Sequence, residues 1–111
     1  MRDDAGRLQD ILDSIQRIEE RIGDGRQRFE NDAMLQVWTV YHLQIVGEAA
    51  RSMSQALRDA HPEIPWTDVI AMRNLLVHEY FGIDLDEVWS TAVNDLPLLR
   101  PAVEAMLAEL N

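Results

Sequence analysis

Leu8-Gln9-Asp10-Ile11-Leu12-Asp13-Ser14-Ile15-Gln16-Arg17-Ile18-Glu19-Glu20-Arg21-Ile22 is the stretch whose reading decides the fold. Its apolar residues, Leu8, Ile11, Leu12, Ile15, Ile18 and Ile22, recur in steps of three, one and four, which draws a single stripe on a helix. Asp10, Asp13, Gln16, Arg17 and Glu20 fill the opposite side. The spacing predicts a helix from about Asp3 to Ile22 with one face buried. Gly23-Asp24-Gly25 ends it, because glycine tolerates the left-handed conformation that closes a helix.

The same reasoning extends along the chain. A longer helix is expected from about Asn31 to Met53, with Asn31 or Asp32 as N-cap. Its apolar positions, among them Met34, Leu35, Val37, Trp38, Tyr41 and Leu43, cover more than one stripe, so it should contact neighbours on two sides. Gly47 lies in mid-helix, where glycine costs about 1 kcal/mol relative to alanine. A close helix crossing would account for it. Ser54 to His61 adds a short helical turn, and Pro62-Glu63-Ile64-Pro65 reads as a rigid connector. A third helix is expected from Trp66 or Thr67 to about Tyr80, broken by Phe81-Gly82-Ile83. Asp84 caps a fourth, Leu85 to about Asp95, and Pro97 marks where a new helix begins. That last segment, to Leu110, carries Leu99, Val103, Met106 and Leu110 on one side. No stretch alternates like a strand. The expectation is an all-α, antiparallel four- to five-helix bundle, one domain over residues 1–111, with the two-sided helix favouring a homodimer.

Composition narrows the function. With 47% apolar and 27% charged residues the chain is globular rather than disordered. It has no cysteine, which removes disulfides and thiolate ligands and makes a reducing cytoplasm the default compartment. No run approaches the roughly 20 apolar residues of a membrane span, and the charged start Met1-Arg2-Asp3-Asp4 does not read as a signal peptide. A formal charge of −10 argues against strong non-specific nucleic-acid binding. It leaves room for a nuclease with a local basic cleft, and it suits a basic protein partner.

The chemistry-bearing run is Arg73-Asn74-Leu75-Leu76-Val77-His78-Glu79-Tyr80. At ~100° per residue Asn74 and His78 fall one turn apart on one face. Arg73 and Tyr80 share another face to within roughly 20°. Val69, Leu76 and Val77 surround Arg73, so the arginine points to an apolar side. There it needs an interface, a carboxylate, or both; Glu48 is one candidate partner. Such a set suits phosphodiester cleavage in RNA, whose internal nucleophile is the 2′-hydroxyl. His78 titrates near neutrality and can carry a proton. Arg73 offers a planar fork of donors to a phosphate gaining charge. Asn74 can orient the histidine or hold a phosphate oxygen, and Tyr80 can donate a hydrogen bond or accept a transferred group. The alternative reading is structural: a packed histidine, an ion-paired arginine and a tyrosine closing the core.

Arg73-x4-His78-x-Tyr80 does not stand alone. Pro62-Glu63-Ile64-Pro65-Trp66, Met72-Arg73-Asn74 and His78-Glu79-Tyr80-Phe81-Gly82-Ile83-Asp84 together resemble the signature region of HepT-like proteins, a branch of the HEPN superfamily. Ile45-Val46-Gly47-Glu48-Ala49-Ala50, Val88-Trp89 and Asp95-Leu96-Pro97 are similar to flanking segments of that branch. The resemblance implies a homodimeric helical bundle with the two motifs facing a shared cleft. It implies a metal-independent endoribonuclease toxin, with Arg73 and His78 catalytic and Asn74 and Tyr80 supporting. It also implies a cognate MntA-like nucleotidyltransferase antitoxin that uses ATP and magnesium to adenylylate Tyr80, while RNA cleavage itself needs no cofactor. AMP there would add bulk and negative charge to the cleft.

Other candidates read as structural. His42 is expected to be a surface or packing residue, and His61 caps a helix end; neither has metal-ligand spacing to a neighbour. Trp38, Trp66 and Trp89 are expected as packing anchors, and Arg51 and Arg58 as solvated residues that can extend a basic rim. The competing functional reading is a non-catalytic helical module that docks a nucleotidyltransferase or a nucleotide.

Overall fold

The computed structural model describes residues 3–74 and 84–110. Helix α1 spans Asp4–Ile22, and the Asp3 carboxylate caps it by accepting from the Gly6 N–H at 2.8 Å. Leu8, Ile11, Ile15 and Ile18 are fully buried along the stripe seen in the sequence. Each such side chain contributes roughly 1.5–3 kcal/mol of transfer free energy. The left-handed turn falls at Gly25, φ 99°, whereas Gly23 stays right-handed. From Gly25 the chain enters a short helix absent from the sequence reading, α2, Arg26–Glu30. Five residues give no periodicity to read. Burial of Phe29 against Trp89, ring centroids 5.4 Å apart, and an ion pair from Arg26 to Asp86 hold it in place.

Helix α3, Ala33–Ser52, is capped by Asp32, which accepts from the Leu35 N–H at 3.1 Å. That hydrogen bond holds the Asp32 carboxyl below its ordinary range, with help from Arg28. Helices α1 and α3 run antiparallel. At one end Ser54, just past α3, donates its N–H and hydroxyl to Asp4 at 2.9 and 2.7 Å. Toward the other, Trp38 Nε1 donates to the Arg17 carbonyl. Ser54 also caps α4, Gln55–Ala60, through its hydroxyl and the Leu57 N–H.

Helix α5, Trp66–Ala71, follows the proline-bounded connector. Trp66 Nε1 donates to the carbonyls of Arg58 and His61, both at 3.0 Å, and so fixes where α5 starts. The expected α-helix does not continue unchanged through the motif: Met72–Asn74 wind as a tighter 3₁₀ turn. The 100° wheel therefore does not apply at Arg73 and Asn74, where each residue advances by about 120°. The remainder of the expected third helix, including His78 and Tyr80, lies outside the described residues.

Helix α6, Leu85–Ser90, is capped by Asp84, which accepts from the Glu87 N–H at 3.1 Å. The sequence reading placed a new helix near Pro97. That helix begins at Leu96, as α7, Leu96–Leu110, but it follows α6 without a loop, through a wider π turn, Thr91–Asp95. The Leu96 N–H reaches back to the Thr91 carbonyl. Pro97 cannot donate and its ring crowds the carbonyl four residues before it, and a widened turn at that point relieves both. Leu96, Leu99, Val103 and Met106 bring α7 into the core, and Arg100 pairs with Glu19 near the end of α1. The described architecture is thus all-α, with α1 packed between α3 and α7. No helix among the described residues is long and apolar enough to cross a membrane.

Candidate active site

The approach of α5 to α3 sets the site. A Cβ built on Gly47 would fall within contact distance of the Arg73 backbone nitrogen, 2.9 Å from the Ile70 carbonyl oxygen and 3.0 Å from the Arg73 Cβ. Only hydrogen fits there. The mid-helix glycine is thus used for a backbone-to-backbone crossing, and the residue it meets is the motif arginine.

Flanking residues on the same face of α3 hold Arg73 from both ends. Gln44 Nε2 donates to the Arg73 carbonyl at 3.4 Å, and the Arg73 guanidinium donates to Glu48 Oε2 at 3.3 Å. Glu48 Oε1 accepts from Arg51 at 3.4 Å, so one carboxylate is shared by two arginines. Solvent reaches this pair, with the Arg73 side chain 35% and that of Glu48 53% exposed. An ion pair so exposed contributes about 1 kcal/mol or less to stability. Its consequence is direction: one edge of the guanidinium is taken up, and its other N–H donors have no partner among the described residues. Asn74 is half-buried next to Arg73, with no side-chain hydrogen bond among the described residues.

The face of α3 that carries Glu48 and Gln44 continues, in steps of three and four, through Tyr41, Val37 and Met34. These are 55%, 52% and 81% exposed. An apolar stripe at heptad-like spacing therefore ends at Arg73.

The other candidates are structural in the described chain. His42 is buried between α1 and α3, with Nδ1 3.4 Å from the Ser14 hydroxyl. The Trp38 and Tyr41 rings meet it edge-on, and Nε2 has no hydrogen-bond partner among the described residues. Burial, with the Arg17 charge adding to it, pushes its pKa down. His61 closes α4 and lies between Glu63 and Glu109 at 3.2 and 3.5 Å. Arg58 donates to Gln55. Among the described residues no group of three His, Cys, Asp or Glu side chains is placed to hold a metal ion. Gln44 went unnoticed in the sequence. Its signal was the spacing from Gly47 and Glu48, which puts all three on one side of α3.

A helical bundle presenting an arginine across a glycine crossing defines a class of small all-α proteins, and the comparisons define it further. Residues 11–106 match the family described as Ribonuclease HepT-like. A Methanocaldococcus jannaschii protein named "Putative RNase MJ1380" is 35% identical over 98 residues, covering 87% of this chain and 90% of that one. A Thermococcus cleftensis protein named "Probable ribonuclease HepT" is 35% identical over 100 residues, 89% of this chain and 91% of its own. No solved structure matches. The chain belongs to the HepT-like ribonuclease family of the HEPN superfamily.

Proposed function

We propose that this protein is the toxin of a toxin–antitoxin pair, a metal-independent endoribonuclease acting as a homodimer. The carrying observation is the fixed position of Arg73, held at its carbonyl by Gln44, at its backbone by the Gly47 crossing and at its guanidinium by Glu48. Arg73 offers the donors not taken up by Glu48 to the scissile phosphate. The 2′-hydroxyl oxygen of the substrate attacks phosphorus, the bond to the 5′-oxygen breaks, and His78 carries the proton transfer. Asn74 orients the histidine, and Tyr80 is a second donor. The exposed Met34, Val37 and Tyr41 stripe, which ends at Arg73, supports a dimer that brings two motifs to one cleft.

The partner is an MntA-like nucleotidyltransferase that silences the toxin by moving AMP from ATP to the Tyr80 hydroxyl, releasing pyrophosphate. Magnesium and ATP serve that partner. A cytoplasmic location fits a chain with no cysteine.

Purified protein should cleave an RNA oligonucleotide in the presence of a chelator. Arg73→Ala and His78→Ala should each slow cleavage by about two to three orders of magnitude. Cleavage at the wild-type rate by both variants contradicts the assignment. The net charge of −10 favours a second reading, a non-catalytic module that docks a nucleotidyltransferase. It predicts no cleavage by the wild type and no growth arrest on its expression. Intact-mass measurement after co-expression with a nucleotidyltransferase reads AMP addition, which Tyr80→Phe should abolish.

A further inference from the structure

The side of α5 turned away from Gly47 lines an open groove of about 580 Å³ between α5 and the α6–α7 run. Its floor is apolar: Ile64, Val69, Met72, Leu99 and Ala102. Leu98, 76% exposed, stands at its edge. The charged residues lining it, Glu63, Asp68, Glu87 and Asp95, are all acidic. Glu63 meets His61, while Asp68, Glu87 and Asp95 have no ion pair among the described residues.

We propose that this groove docks a basic amphipathic helix of a partner protein. Apolar residues on the partner's inner face would fill the floor, and its flanking Lys or Arg side chains would meet Asp68, Glu87 and Asp95. The charge decides the occupant. Four carboxylates without a cation among the lining residues repel a phosphate backbone, so the groove is not an RNA path. A second copy seated groove to groove would set the same four carboxylates against these, so the self-contact proposed for the α3 stripe does not extend here. Along α5 and the 3₁₀ turn that follows it, Asp68, Ala71 and Met72 line the groove while Ile70 and Arg73 lie against Gly47. A partner seated here therefore bears on the back of the short helix that leads into Arg73. The docking surface does not depend on whether Arg73 acts on RNA.

The probe is a fluorescently labelled Leu/Lys peptide of roughly 14 residues, long enough for a few helical turns, with a Leu/Glu analogue beside it. Fluorescence anisotropy at moderate salt should show the Leu/Lys peptide binding the full-length protein and the Leu/Glu peptide not binding. Leu98→Asp, and separately Asp68→Lys with Asp95→Lys, should each weaken binding about tenfold or more. Asp13→Lys with Glu20→Lys, an equal charge change on the exposed side of α1, should change it less than about threefold. Equal losses in the two charge-reversed proteins mean attraction to net charge alone and overturn the proposal, as does unchanged binding by Leu98→Asp. If sedimentation shows that Leu98→Asp dissociates the protein's own oligomer, the groove is a self-interface and the proposal fails.

Discussion

Helices α1 and α5 both lie against α3, and they do so by different means. Helix α1 presents a continuous apolar stripe whose residues Leu8, Ile11, Ile15 and Ile18 are wholly removed from water. Helix α5 has six residues and comes to α3 through the one position where a side chain is missing. Packing by side chains spreads free energy over many contacts and tolerates small shifts. A backbone crossing at glycine contributes less area but leaves no freedom of position. The first arrangement makes the bundle stable; the second makes Arg73 precise.

Breaking the α1 side should have the largest effect. Ile15→Ala removes a fully buried side chain and is expected to cost about 2–5 kcal/mol of unfolding free energy, read by urea titration. Cleavage per folded molecule, measured well below the melting temperature, should change little. On the α5 side, Gly47→Ala is expected to slow cleavage per folded molecule itself. Its added methyl displaces the Arg73 backbone, and a shift of about 1 Å can slow a reaction about a hundredfold. About 1 kcal/mol of helix propensity offsets part of the overpacking cost, but the methyl meets backbone that cannot swing aside, so the melting temperature should fall as well.

A milder probe of the same side is Glu48→Gln, which keeps the shape and removes the charge shared by Arg51 and Arg73. Cleavage should fall about three- to tenfold with no resolvable change in stability, because the pair is solvent-exposed. The smallest effect concerns pH and belongs to the α1–α3 packing. His42 has a depressed pKa because it is buried. The unfolded chain therefore binds a proton more readily than the folded one at mildly acidic pH. The associated stability is complete above the ordinary histidine range, about 6.5, and is lost as pH falls through the lower folded value. His42→Phe should flatten the fall in stability between about pH 7.5 and about pH 5, seen as the difference between the two proteins' urea midpoints.

The α1 stripe was legible because burial repeated over about four turns imposes a period that no local accident reproduces. Gly47 was legible for the opposite reason: a residue that disfavours helix in the middle of one implies a neighbour that needs the space. Glu48 could be named as a partner for Arg73, but the shared bridge to Arg51 and the Gln44 contact depend on where α5 lands. Helix α2 left no readable trace, since Phe29 alone is apolar in it and the ring it packs on, Trp89, is distant in sequence. Pro97 marked the start of α7 to within one residue, whereas the π turn that joins it to α6 has no sequence signature. The 3₁₀ winding at Met72–Asn74 has no sequence signature, and it changed which way Arg73 and Asn74 face.

The central claim is that α3 controls cleavage by fixing Arg73, and a double-mutant cycle on the RNA cleavage rate tests it most directly. Wild type, Gly47→Ala, Arg73→Ala and the double variant would be compared on one oligonucleotide with chelator present, each normalised to its folded fraction. The account predicts that the double variant is no slower than Arg73→Ala alone, because the glycine acts through the arginine. Losses that multiply, with the double variant slower by about a further hundredfold, would contradict it.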